Sequence, residues 1–249
     1  MRLTTITALL GVALAASFSP ATAGELKVIA GGSMTASLKE LGPRFEKATG
    51  HKVDIGFAAT PELIKMSTGA PFDLGVVPVD VMKNDAARAK YAAGPQLTIA
   101  RVGYGVAVKA GSAKPDVSTP DALKATLLKA QSVALIPESA AGAYVMKVFD
   151  RLGIAAEMKA KTKPQTTTGA VPAAVANGEA ELGVFLTNVL IAPGVEFAGP
   201  FPGDLQNELV LVGAVAAESK DAAAAKAFLD YLKSPEGVAV FKAKGVTPG

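Results

Sequence analysis

The sequence contains no cysteine and no tryptophan, and only one histidine, among its 249 residues. Without cysteine there is no disulfide framework, no thiol nucleophile, no zinc–thiolate site and no lipid-anchored N-terminal cysteine. The single histidine, His51, cannot supply a multi-histidine metal site, and it offers no ready pairing for a Ser-His-Asp triad. We therefore predict a protein with no catalytic residues, no metal ion and no cofactor.

An excess of charge of either sign is also missing. The chain has 25 Lys and Arg residues against 22 Asp and Glu residues, a formal net charge of +3, and only 6% aromatic residues. It has no basic run and no aromatic platform, so we predict that it does not bind nucleic acid. Half of the residues are hydrophobic, which excludes intrinsic disorder and suits either one large domain or two lobes of roughly 100 residues each.

The first 23 residues have the composition of an export signal. A positive start precedes an apolar, small-residue stretch over residues 3–18, and residues 21–23 (ATA) match the pattern before a signal-peptidase cut. The alternative is a membrane-spanning helix. The stretch is shorter than the ~20 residues that a bilayer requires, however, and Pro20 follows it. We predict a signal peptide over 1–23, cut after Ala23, and a protein that is free in the periplasm.

Along the rest of the chain, apolar strands alternate with amphipathic helices. Strand patterns occupy residues 26–30, 52–57, 73–77, 103–109, 132–136, 181–186 and 208–216. The helix that begins at Met34 has apolar residues at spacings of 4, 3 and 4, and Gly42-Pro43 is expected to kink or divide it. Another helix is predicted over residues 220–234. This alternation predicts an α/β protein with doubly wound sheets in two lobes.

Small residues and hydroxyl-bearing residues occur together at the predicted strand-to-helix junctions. Four such junctions lie at residues 31–33, 58–60, 139–142 and 166–169. The first amides of a helix lack internal partners and the helix dipole is positive there, so such junctions can hold an anion without Arg or Lys. The alternative for each junction alone is that its Ser or Thr merely caps the helix. Because ligands of open α/β sheets bind beyond the carboxyl ends of the strands, four junctions together predict one anion site.

The chain after residue 23 also resembles a known family over essentially its whole length, and five segments carry the resemblance. They are residues 30–41 (AGGSMTASLKEL), 45–50 (FEKATG), 57–60 (FAAT), 69–73 (GAPFD) and 225–237 (AKAFLDYLKSPEG). Together they resemble the periplasmic molybdate-binding proteins, which are type II solute-binding components of ABC importers. The resemblance implies a two-lobe type II periplasmic-binding fold with the ligand cleft between the lobes, a monomer, and an ABC permease in the inner membrane as partner.

Carried onto this chain, the family's ligand contacts fall on residues at the four junctions and on one strand end: Ser33, Thr60, Ala141 through its backbone, Thr168 and Leu186. Leu186 stands where the family has a tyrosine, and a leucine cannot donate a hydrogen bond. The resemblance implies a small anion as the ligand. Because the tyrosine donor is replaced by Leu186, this anion is either an oxyanion like molybdate or tungstate or a small carboxylate. The lobes are expected to comprise residues 24–101 plus 213–249, and residues 102–212.

The resemblance leaves a second hypothesis open, because it extends to a periplasmic aconitate isomerase. That reaction moves a proton within a small tricarboxylate and requires a positioned base together with carboxylate clamps. Residues near the junctions that could be imagined in these roles are Thr60, Glu62, Lys65 and Ser139. The receptor hypothesis expects binding without turnover, whereas the isomerase hypothesis expects turnover of aconitate.

Overall fold

The computed structural model describes residues 24–94 and 96–249, so the predicted signal peptide lies outside the described residues. Within that part of the chain, no helix combines the length and apolar character needed to cross a membrane. The ten strands in these ranges are β1 (Glu25–Gly31), β2 (Lys52–Ala58), β3 (Leu74–Pro78), β4 (Leu97–Lys109), β5 (Val133–Leu135), β6 (Thr162–Pro164), β7 (Leu182–Leu186), β8 (Val195–Pro200), β9 (Glu208–Val215) and β10 (Thr247–Pro248).

The α-helices of the described ranges cover the faces of this sheet system. They are α1 (Thr35–Thr49), α2 (Thr60–Gly69), α3 (Asp85–Arg88), α4 (Pro120–Lys129), α5 (Ala140–Arg151), α6 (Ala155–Lys161), α7 (Ala170–Ala176), α8 (Ala222–Leu232) and α9 (Pro235–Ala243). The strand order is β2-β1-β3-β9-β4-β7-β5-β6, with β8 and β10 also pairing with β4. The predicted α/β class with doubly wound sheets in two lobes is confirmed.

A single long strand, β4, belongs to both lobes. Its residues 97–103 pair antiparallel with β9, which pairs in turn with β3, and β3 and β2 flank β1 in parallel. Its residues 104–109 pair with β7 and β8, and β7 continues through the parallel strands β5 and β6. We call the part with β1, β2, β3 and β9 the first lobe, and the part with β5, β6 and β7 the second lobe.

The expected chain limits of the lobes, at 101/102 and 212/213, stay a prediction. Both positions fall inside strands, because residue 101 lies within β4 and residue 213 within β9. All of the pairing of β9 is with β3 and with residues 97–103 of β4.

Three sequence predictions about single elements require correction. Gly42-Pro43 does not divide α1, because Pro43 is exposed and the carbonyl that its missing N–H leaves free can face water. The strand predicted at residue 103 begins at Leu97. The helix predicted over residues 220–234 ends at Leu232, and Ser234 caps the separate helix α9, where Pro235 occupies the first turn.

The C-terminal helices pack on the first lobe. Phe228 of α8 meets Phe45 of α1 edge-on, with ring centroids 4.9 Å apart. Tyr231 lies 5.5 Å from the same ring. Both Phe45 and Phe228 are almost completely buried. The chain therefore returns to the first lobe after it has built the second.

The buried carboxylate of Asp73 links the segment that precedes α8 to strand β3. Asp73, just before β3, accepts hydrogen bonds of 2.9 Å from the Lys27 amide, the Ser219 hydroxyl and the Lys220 amide. Burial alone would raise the pKa of Asp73, but these bonds together outweigh burial and hold the pKa below its ordinary value of 3.8. Asp73 is therefore charged in the folded protein and stabilises it.

We expect Asp73→Ala to lower the free energy of unfolding by ~2–4 kcal/mol at pH 7, because three donors lose a charged acceptor. A depressed folded-state pKa means that this stabilisation is present above the ordinary pKa of 3.8 and is lost as pH falls through the lower folded-state value. Urea unfolding at steps from pH 7 to pH 3 measures both effects. The matched control is Asp54→Ala on an exposed position of β2. If Asp73→Ala lowers the free energy of unfolding no more than Asp54→Ala does, the stabilising role of the Asp73 carboxylate is contradicted.

Candidate functional site

A small cavity lies between the two lobes at the strand-to-helix junctions. Its volume is about 20 Å³, which exceeds the ~10–15 Å³ that one water molecule requires. We call it the inner cavity, and it is lined by residues 31–33, 58–60, 78, 139, 141, 168, 185, 186 and 209. The structure brings together all five predicted contacts, namely Ser33, Thr60, Ala141, Thr168 and Leu186. Their role in binding stays a prediction.

The start of α5 presents one backbone amide to the inner cavity. The Ala140 N–H donates to the hydroxyl of Thr60 at 3.0 Å, and the Gly142 N–H donates to the Ser139 side chain at 2.9 Å. The Ala143 N–H is bonded to the Ser139 carbonyl. Among the described residues, Ala141 alone of these first four amides has no partner, and Ala141 lines the inner cavity. Its N–H can therefore donate to a ligand.

The start of α2 faces α5 across the cleft. Thr60 is the first residue of α2, and its hydroxyl oxygen accepts the Ala140 N–H of the other lobe. The hydroxyl hydrogen of Thr60 therefore remains to be donated. Pro61 has no N–H, so α2 begins without an additional orphan donor at that position. Two helix N-termini, one from each lobe, thus point their positive ends at the same small space.

Ser33 is held in place by a residue that the sequence patterns did not indicate. The carboxamide of Asn188, in the loop after β7, donates to the Ser33 carbonyl at 2.6 Å. Asn188 is 9% exposed, and Ser33 is 5% exposed. This bond links the two lobes beside the inner cavity. Its only sequence signal is an Asn that follows a predicted strand, which is too common to have been singled out.

Gly32 of the first lobe lies against Thr168 of the second lobe. A Cβ added there would lie 2.6 Å from Oγ1 and 2.8 Å from Cγ2 of Thr168. Both residues line the inner cavity. Only glycine therefore fits at this position while Thr168 occupies its observed place.

The remaining residues that the sequence indicated have structural partners. Leu186, 1% exposed and opposite Tyr104 in the ladder of β4 and β7, gives the inner cavity an apolar wall without a donor. Ser139 caps α5, and its hydroxyl also donates to the Ile136 carbonyl. Glu62 and Lys65 form an exposed ion pair of 3.1 Å along α2.

A larger space opens beside the inner cavity. We call it the outer cleft; its volume is about 540 Å³, and it is lined by residues 32–33, 35–36, 57–59, 62, 166–169, 172, 188–189 and 191–192. Residues 32, 33, 58, 59 and 168 line both spaces. The inner cavity and the outer cleft therefore belong to the same interlobe site.

The crossing of β4 from lobe to lobe is clamped by one side chain. Gln206 accepts from the Tyr104 N–H and donates to the Tyr104 carbonyl, both at 2.9 Å. Burial, with smaller effects of Asp80 and Tyr144, strongly raises the pKa of Tyr104, which therefore stays neutral. The clamp fixes the strand where the lobes join, close to Leu186 of the inner cavity.

The electrostatics of the inner cavity come from dipoles alone. None of the described residues that line it has a titratable side chain. In the described part of the chain, no group of three or more His, Asp or Glu side chains is placed to hold a metal ion. The arrangement is suited to binding a compact anion through N–H and O–H donors, and it offers no general base at the inner cavity.

Two α/β lobes that share one strand and enclose a donor-lined cavity define a two-lobe binding protein. Comparison with known proteins then gives the family: the chain belongs to the bacterial extracellular solute-binding proteins, whose sequence model matches residues 26–247. The resemblance to periplasmic molybdate-binding proteins is confirmed as well.

Individual relatives support this assignment. An aconitate isomerase from Pseudomonas sp is 33% identical, over 90% of this chain and 87% of the relative. The molybdate-binding protein ModA of Azotobacter vinelandii is 30% identical, over 90% of each chain. The solved structure of an Azotobacter vinelandii periplasmic molybdate-binding protein superposes with a TM-score of 0.75 at 22% identity, covering 90% of this chain and 99% of that one.

Proposed function

We propose that this solute-binding protein captures a small anion in the inner cavity and delivers it to an ABC permease of the inner membrane. The observation that carries the proposal is the meeting of the Ala141 amide and the Ser33 and Thr60 residues around one space of about 20 Å³. The bond between Thr60 and Ala140 holds the lobes closed over it. The protein acts as a monomer in the periplasm, after removal of residues 1–23, and it does not bind nucleic acid.

A thermal-shift panel tests the ligand class. We expect at least one of molybdate, tungstate, sulfate, phosphate, citrate or an aconitate to raise the melting temperature. An anion present at 100 times its Kd stabilises the folded state by ~2.7 kcal/mol. Sodium chloride at the same ionic strength is the control for salt effects. Neutral sugars and amino acids are tested beside the anions, and a result in which only they shift the melting temperature would contradict the proposal.

The aconitate isomerase among the relatives makes an isomerase the second candidate. Its base would have to come from outside the inner cavity, since no titratable side chain lines that space in the described chain. Glu62 lines the outer cleft and is the candidate available there. Incubation with cis- or trans-aconitate, followed by NMR, distinguishes the two functions: the receptor leaves each isomer unchanged, and turnover would establish the enzyme.

A further inference from the structure

The inner cavity and the outer cleft form one continuous site. They share five lining residues, including Gly32 and Thr168. The inner cavity, at about 20 Å³, is little larger than the space that one water molecule requires, so only a compact head can be held there. The outer cleft, at about 540 Å³, has the size of a site for a whole small molecule. A ligand whose head is held in the inner cavity therefore has room to extend outward.

The walls of the outer cleft suit a carbon skeleton. Phe57 approaches from the first lobe, and Val189 and Ile191 approach from the loop after β7 in the second. Ile191 is 63% exposed, the most exposed large hydrophobic side chain among the described residues. An inorganic oxyanion gains nothing from these side chains, whereas an apolar group packed on them leaves water.

The charge of the outer cleft disfavours a second anionic group on the ligand. Glu62 is the only residue with a titratable side chain among the described residues that line it, and no Lys or Arg is in the lining. Lys65 pairs with Glu62, but its side chain is 74% exposed. A further carboxylate on the ligand would therefore find no cation in the lining of the outer cleft to pair with.

We propose that the ligand is an organic anion with a single compact anionic head and an uncharged carbon body. The head occupies the inner cavity, and the body lies in the outer cleft against Phe57 and Ile191. This inference rests on the proposed function and narrows its ligand class. It excludes both a bare inorganic oxyanion and a tricarboxylate as the best ligand.

Calorimetry with matched pairs of anions tests the inference. The pairs share a head group and differ in the body: phosphate with phenyl phosphate, sulfate with phenyl sulfate, and hydrogencarbonate with benzoate. In the pair whose head group fits, we expect the organic member to bind at least 10-fold more tightly. Ile191→Ser should weaken the organic member at least 5-fold and change the inorganic member less than 2-fold, because only the body touches this residue.

Two further variants distinguish the packing of the ligand's carbon body on Ile191 from effects that any loss of an exposed apolar side chain would have. Ile191→Leu keeps the apolar surface and should retain the affinity for the organic member. Leu128→Ser removes an exposed leucine, 38% exposed, from α4, away from the cleft, and should change neither affinity.

The possible outcomes separate this inference from the proposed function. If inorganic anions bind as tightly as their organic partners, or cis-aconitate binds best, the inference is wrong and the proposed function stands. If Ile191→Ser weakens both members of a pair equally, the carbon body does not lie on Ile191. If no anion of any kind binds, the proposed function itself fails.

Discussion

Gly32→Ala should reduce the affinity for the bound anion about 10- to 100-fold. The added methyl would stand 2.6 Å from Oγ1 and 2.8 Å from Cγ2 of Thr168, across the cleft. Overpacking of this kind costs ~1–3 kcal/mol. Gly32 and Thr168 belong to different lobes, so we expect the cost to fall on the packing of the lobes around the ligand rather than on the folding of either lobe. Calorimetric titration with the anion identified by the thermal-shift panel measures the loss.

A compensating change makes this prediction specific. Thr168→Ala removes both atoms that lie within 3 Å of the added methyl and leaves the Thr168 Cβ 3.3 Å from it. The double variant should therefore bind more tightly than the sum of the two single effects allows, which a double-mutant cycle detects. Gly69→Ala, where a Cβ would meet nothing within 4 Å, is the matched control. Strictly additive losses would show that Gly32 and Thr168 do not limit closure.

Thr60→Val should have an effect of similar size for a different reason. The substitution keeps the shape of the side chain but removes the oxygen that accepts the Ala140 N–H at 3.0 Å. It also removes a hydroxyl donor from the inner cavity, and one hydrogen bond to a charged group contributes ~1.5–3 kcal/mol, or roughly 10- to 100-fold in affinity. The dissociation constant for the same anion provides the measurement.

The hydroxyl of Thr60, rather than its methyl group, should account for the loss. Thr60→Ser retains the oxygen and is expected to bind within about 3-fold of the native protein. Thr68→Val, on the exposed side of the same helix, removes a hydroxyl that bonds only to backbone carbonyls of α2 and should leave binding unchanged. Equal losses in Thr60→Ser and Thr60→Val would locate the effect in packing.

Much of the fold was predictable because local sequence patterns indicate most of its strands and helices. The buried strands β1, β3 and β7 are short apolar runs, and α2 begins at a Thr-Pro-Glu sequence that satisfies a helix start. The end of α1 follows a local rule as well, since Gly50 takes the left-handed conformation with φ of 82° that ends many helices.

The errors arose where tertiary context decided the outcome. In β8, the alternation of the first three residues gives way to Ala-Gly-Pro, and none of its residues is fully buried, so the sequence pattern that predicts a strand is short. Gly42-Pro43 was expected to kink or divide α1, but α1 is continuous through Pro43, because the consequence of a proline depends on whether its side of the helix faces water. Neither fact is visible in the local sequence.

The candidate site divides in the same way. The junctions containing Ser33, Thr60 and Ala141 were recognisable because donors at helix starts are a local property. The bond from Asn188 to the Ser33 carbonyl joins residues 155 positions apart, and the contact of Gly32 with Thr168 also depends on how the lobes meet. A single sequence contains no measure of such approaches.

The described lining of the inner cavity has no titratable side chain, and this determines how ligand binding depends on pH. Hydroxyls, amides and helix ends keep the same protons across the physiological pH range. A change of binding with pH must therefore originate in the ligand or in the outer cleft, where Glu62 is the only ionisable side chain of the described lining. For a head group held only by these fixed donors, the binding curve would follow the anion's own ionisation. The protein would then recognise the ligand by its protonation state without changing its own.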